Sequence, residues 1–120
     1  MALIIKSPAV IQAAGKGNKV INEYFGRVNS KTGEVSIAKM NSPQGWEEPG
    51  QCPEFNEYTV VLKGSVRIRT KNEDYRVNAG EAILTVAGEW VQYSTPYEGG
   101  AEYIAVCLPA FSPDIVHRDE

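Results

Sequence analysis

Apolar and polar positions alternate along most of this chain, and the alternation predicts strands. Val66 and Ile68 alternate with Arg67 and Arg69, the period-two pattern of an antiparallel strand with one buried and one solvated face. Val20 to Val28, Val35 to Met40, Glu57 to Leu62, Ala82 to Val86, Trp90 to Tyr93 and Glu102 to Leu108 are further candidates, with a shorter one at Tyr75 to Val77. Turn residues separate them: Asn29 to Gly33, Lys63-Gly64, Lys71 to Asp74, Ala79-Gly80, Ala87-Gly88 and Glu98 to Gly100. The stretch from Ser42 to Pro53 is too rich in proline and glycine for a regular element and reads as a loop. One helix is expected near the N-terminus: Ser7 caps it, Pro8 sits in its first turn and Gly15 ends it. Many short strands at near-regular spacing, without an internal repeat or a linker, predict an all-β fold. The expected form is a small antiparallel jelly-roll barrel with a short N-terminal helix.

The length of 120 residues fits one domain over residues 1–120, with its core at about 20–109 and a polar tail at 110–120. A formal net charge of -3 argues against a nucleic-acid partner, which needs a concentrated basic face. No apolar run approaches the roughly 20 residues that span a bilayer, and the apolar N-terminal stretch is too short for a secretory signal. The expectation is a soluble cytoplasmic protein with no membrane partner. Its two cysteines, Cys52 and Cys107, make no disulfide framework, and Cys107 reads as a small buried hydrophobe within an apolar strand.

Two segments carry more specific information. One runs from Gly45 through Gln51, Cys52, Pro53 and Glu57 to Gly64; the other runs from Gly80 through Val86, Gly88 and Val91 to Thr95. Their spacing resembles the paired signatures of the cupin superfamily. The first signature is glycine, five residues, His-x-His, three or four residues, Glu, six residues, glycine. The second is glycine, five residues, Pro-x-Gly, two residues, His, three residues, Asn. Gly45, Glu57, Gly64, Gly80 and Gly88 stand in register, whereas the histidine positions hold Gln51, Pro53 and Val91. The run Glu57…Val61-Leu62-Lys63-Gly64, together with Tyr103-Ile104-Ala105-Val106 and Pro109-Ala110, is also similar to the cupin domain of the ethanolamine-utilisation protein Q group, which likewise lacks the histidine triad.

The resemblance implies a jelly roll of the cupin type and, because Glu57 is the one strong ligand left, no resident cofactor. Sliding the first signature by one residue brings Cys52 into a histidine position, so a transition metal on Cys52 and Glu57 is the alternative. If the signature strands line a barrel, Glu57, Thr59 and Val61 share a face, and burial would raise the Glu57 pKa toward the range useful to a general acid or base. Glu47 and Glu48 could join it if their loop folds over the mouth. Trp46, Gln51, Cys52, Trp90, Gln92 and Tyr103 are the candidate ligand-binding residues, aromatic walls with neutral hydrogen-bonding groups around one carboxyl. Arg67 and Arg69 are expected on a solvated face, and the role of Arg27 is open. The functional expectation is a barrel that binds a small oxygenated metabolite, a sugar acid or carboxylate. The alternative is an isomerase, cyclase or lyase that uses Glu57 as its catalytic acid/base. Exposed strand edges predict a homodimer, with Phe111, Ile115 and Val116 clasping the partner.

Overall fold

The architecture hangs on one long strand. In the computed structural model, which describes all residues 1–120, β5 runs without interruption over Asn56–Thr70. Its first half pairs with β7 (Ala82–Thr85) and β9 (Ala101–Leu108); its second half pairs with β6 (Asp74–Asn78) and β8 (Val91–Thr95), all antiparallel. On one side the sheet continues from β9 through β3 (Ser36–Ser42) and β2 (Val20–Phe25) to β1 (Ala9–Gln12). On the other it continues from β8 to β4 (Trp46–Glu47). The result is a curled antiparallel sheet, the all-β jelly-roll form expected from the alternation.

The turn expected at Lys63-Gly64 is a bulge inside β5. Thr59 and Val61 are buried before it, Val66 and Ile68 after it, so the inward face switches from odd to even positions. One irregular step between Val61 and Lys63 against β9 accounts for the switch. Gly64 sits there with φ of +72°, and a Cβ on it would come within 2.0 Å of the Gly100 carbonyl oxygen, so only glycine fits.

The expected N-terminal helix is also corrected. Ala9–Gln12 forms β1, hydrogen-bonded to β2 in the register Ile11 to Ile21. A segment this short gains little as an isolated helix, whereas its β-branched pair Val10-Ile11 gains a ladder and buries one side of Ile11. The helix of the chain is α1 (Pro113–Val116), capped by the Ser112 hydroxyl, which accepts from the Asp114 amide at 3.2 Å. No helix is long and apolar enough to cross a membrane.

The main core joins Trp46, Val61, Val66, Ile68, Val77, Val91, Tyr93, Ala101 and Tyr103. Burying each large apolar side chain contributes roughly 1.5–3 kcal/mol before chain entropy is counted. A smaller cluster joins Phe55, Cys107 and Val116, with Phe111 and Ile115 against it. The tail residues expected to clasp a partner therefore pack on their own chain, because α1 returns them over Phe55.

Candidate functional site

Inward positions of successive strands converge on a cavity of about 80 Å³. The register places Ile21 opposite Met40 and Met40 opposite Tyr103, and, one row further along, Ala38 opposite Ala105. These rows make the apolar wall, completed by Ile11, Phe55 and Phe111. Glu57, at the start of β5 and opposite both Thr85 and Cys107, enters from one side. Glu48 lines the same cavity. Along β4 and the residue that follows it, Trp46 points in, Glu47 points to solvent and Glu48 turns back into the cavity. Two bonds to its backbone hold Glu48 there: its amide donates to Tyr93 O at 3.2 Å, and Gln92 Nε2 donates to its carbonyl at 3.0 Å.

Both carboxyls keep some accessible surface, but that surface faces the cavity, so each is penalised when charged. Burial pushes Glu48 up to about 8, with Lys19 and Arg118 acting against the rise and the charge of Glu57 adding to it. Burial likewise raises Glu57, opposed by Lys19 and by a polar contact with Tyr93. Tyr93 is itself held well above its ordinary range by burial and by Glu57, and its hydroxyl shares a 2.7 Å hydrogen bond with Thr85. Burial, then Glu57, raises the Cys107 thiol, which keeps it protonated and inert, as expected of a buried hydrophobe. Glu48 Oε2 is buried without a hydrogen-bond partner.

Two cations face these acids. The Lys19 ammonium stands 3.8 Å from the centre of the Trp46 ring and 5.2 Å from that of Tyr103, and Arg118 lines the mouth. A third carboxyl, that of Glu23, serves the backbone instead. Its Oε1 accepts from the amides of Val28 and Asn29 at 3.1 and 2.9 Å, closing the turn after β2.

Of the candidate residues named from sequence, the cavity brings together Glu57, Trp46, Gln51 and Tyr103. Cys52, Trp90 and Gln92 lie outside it. The Cys52 thiol is exposed and donates to Gly88 O at 3.3 Å; Trp90 Nε1 donates to Asp119 at 2.9 Å on the outer surface; Gln92 accepts from Arg69. Cys52 faces outward because Gln51 beside it faces inward, as alternation requires. Arg67 pairs with Asp74 on the outer face, and Arg27 donates to the carbonyls of Ala110 and Gly33. Lys19, Glu23 and Arg118 escaped the sequence reading. They lie outside both signatures, and only the closing of the sheet and the return of the tail bring them together.

The two signature segments meet as well. Gln51 and Val91 pair backbone to backbone, and Gln51 lines the cavity with Glu57. Solved structures that superpose on the chain share one fold. The chain superposes on the polyketide cyclase RemF from Streptomyces resistomycificus with a TM-score of 0.75 at 15% identity, over 98% of this chain and 84% of that one. On a variant of oxalate decarboxylase from Bacillus subtilis the TM-score is 0.77 at 16% identity, over 96% of this chain and 31% of that one. On the Clostridium difficile EutQ protein it is 0.62 at 21% identity, over 77% and 64%. This is the cupin fold. No family model matches the chain. Among curated proteins, it is 39% identical over 101 residues to the endoribonuclease YbeY of Myxococcus xanthus, matching 84% of this chain but only about a third (34%) of the length of that relative.

Within this fold the donor set at the signature positions is a poor one for a metal. Gln51, Pro53 and Val91 stand at the histidine positions, and no group of three or more His, Cys, Asp or Glu side chains is arranged to hold a metal ion. The alternative pair of Cys52 and Glu57 is split between the outer surface and the cavity. These donors do not fit a transition metal, and the chemistry of the site is that of its carboxyls, its lysine and its rings.

Proposed function

We propose that this cupin acts as one domain, in the cytoplasm, to bind a small oxygenated metabolite in its barrel. The observation that carries the reading is the convergence of Glu48, Glu57 and Lys19 on one small cavity whose remaining wall is apolar and aromatic. A few polar groups in an apolar hollow are what recognition of a small molecule requires. At about 80 Å³ the cavity favours short carboxylates over sugar acids. The same volume weighs against a polynucleotide in the barrel, so the ribonuclease name of the Myxococcus relative is not carried over.

A second reading, an isomerase, cyclase or lyase, is favoured by one specific observation. Glu48 and Glu57 are two buried carboxyls under different local charges, so one can hold a proton while the other is ionised, the arrangement that general acid/base chemistry uses. Glu57→Gln separates the readings. Under the binding reading it changes ligand affinity, measured by calorimetry, with no turnover in either protein. Under the enzymatic reading wild type converts a cavity ligand, followed by proton NMR of the ligand, and the variant binds it without converting it.

The proposal includes a homodimer. Tyr58, Val60, Leu62, Leu84 and Leu108 project from the outer face of β5, β7 and β9, each 41–45% exposed. Apolar side chains grouped on one sheet face gain by meeting a second copy.

A further inference from the structure

We infer that the ligand of this cavity is a short monocarboxylate bearing one hydroxyl or carbonyl oxygen, its carboxylate on Lys19 and its second oxygen at Glu48. The inference rests on the binding reading above and gives it a chemical class.

Lys19 carries the argument. Its ammonium belongs to none of the ion pairs of the chain, which join Lys39 and Lys63 to Glu102, Arg67 to Asp74 and His117 to Glu54. It is half-buried over the faces of Trp46 and Tyr103. Those rings stabilise the charge but accept no strong hydrogen bond, so three N–H donors remain to be satisfied. In the same cavity Glu48 Oε2 is buried and unpartnered. An unsatisfied buried oxygen is costly, and here it shares one hollow with a cation that has no ion-pair partner in the protein. One molecule that presents an anionic oxygen to Lys19 and a neutral oxygen to Glu48 satisfies both.

The sign of the ligand charge follows from the other groups facing the hollow. Glu23 has its charge taken up by the Val28 and Asn29 amides. Burial raises Glu48 to about 8, which favours its protonated form, a donor, near neutral pH. Glu57 is left as the one carboxyl whose charge opposes an anion, against Lys19 inside and Arg118 at the mouth. The size follows from the volume: a hollow of about 80 Å³ suits a small molecule such as glycolate, lactate or pyruvate.

The experiment titrates the full-length protein at pH 7 with lactate, with its neutral analogue lactamide and with the cationic analogue 1-amino-2-propanol. It is read by calorimetry and by the Trp46 indole N–H resonance, which reports on the ring beneath Lys19. Saturable lactate binding, with lactamide and the amine at least about tenfold weaker, is expected. Lys19→Gln should weaken lactate about tenfold or more, Lys19→Arg should retain most of the affinity, and Arg118→Gln, at the mouth, should weaken it less. Equal or tighter binding of lactamide or the amine overturns the anion assignment and leaves the binding reading standing. If none of the three binds or moves the Trp46 resonance, the inference is overturned, and the binding reading is left to the Glu57→Gln comparison. The comparison of the three probes uses wild-type protein and holds even if a Lys19 variant fails to fold.

Discussion

The backbones of Gln51 and Val91 exchange two hydrogen bonds, Gln51 N to Val91 O at 2.9 Å and Val91 N to Gln51 O at 2.8 Å. By the resemblance in spacing, these residues stand where the first and second cupin signatures carry histidine, and the pairing sets them side by side.

Putting histidine at both positions tests that pairing. The double variant Gln51→His with Val91→His, together with Glu57, offers three ligands of the kind a zinc or nickel ion takes. We expect wild-type protein to leave chelator dialysis with little metal and the double variant, reloaded with zinc, to retain close to one equivalent by elemental analysis. A variant that stays empty would show that the Val91 side chain does not reach the hollow.

The Glu48 carboxyl makes stability depend on pH in a direction opposite to that of a salt-bridged acid. Its folded-state pKa, about 8, lies above its ordinary value of 4.5. The folded state therefore holds the proton more tightly between those limits. The stability this gives is full below about pH 4.5 and is lost as the pH rises toward 8. Denaturant melts of wild type should weaken by a few kcal/mol, as an order of magnitude, from pH 5 to pH 9. In Glu48→Gln this part of the slope should vanish.

Gly64→Ala should be among the most damaging single substitutions in the chain. Its positive φ and the 2.0 Å approach of the added Cβ to Gly100 O leave no strain-free placement. A loss of about 2–4 kcal/mol is expected from urea unfolding, since backbone strain and a steric clash add. Gly80→Ala, also at positive φ but with open space around it, should cost only about 1 kcal/mol.

Val116→Ala should loosen the tail. Val116 is buried against Phe55 and Cys107, and shortening it removes contacts without a replacement. About 1–3 kcal/mol of destabilisation is expected by thermal or chemical melts. Amide exchange should rise first at Cys52 and Glu54, whose N–H groups donate to His117 O and Ile115 O.

For the dimer, Val60→Glu places a charge at the centre of the apolar outer face. Sedimentation should show a dimer for wild type and a monomer for the variant, with the fold retained. Sedimentation of wild type as a monomer would remove the dimer proposal.

The strands were legible because alternation, turn residues and β-branched content agreed with one another, whereas the helix was misplaced for a reason the structure makes plain. Ser-Pro occurs at Ser7-Pro8, at Ser42-Pro43 and at Ser112-Pro113, and only the last begins a helix. Local capping chemistry is similar in the first and last cases. The difference is that residues 9–12 find a strand partner in β2, while residues 113–116 find an apolar seat on Phe55. The bulge in β5 was hidden because the parity switch between Val61 and Val66 resembles two strands joined by a turn. At the site, Glu57 was legible from the signature spacing, and Glu48 depended on how its loop would fold. Lys19 and Arg118 carry no local signal, because their meeting is a property of the closed sheet.

Both ends of the chain help to wall the cavity: Ile11, Gln12, Ala13, Ala14 and Lys19 from one end, Phe111 and Arg118 from the other. A protein trimmed to residues 20–109 would keep strands β2 to β9 and still lack the lysine, the mouth arginine and part of the apolar wall. Proteolysis at either end could therefore silence ligand capture while leaving a folded barrel.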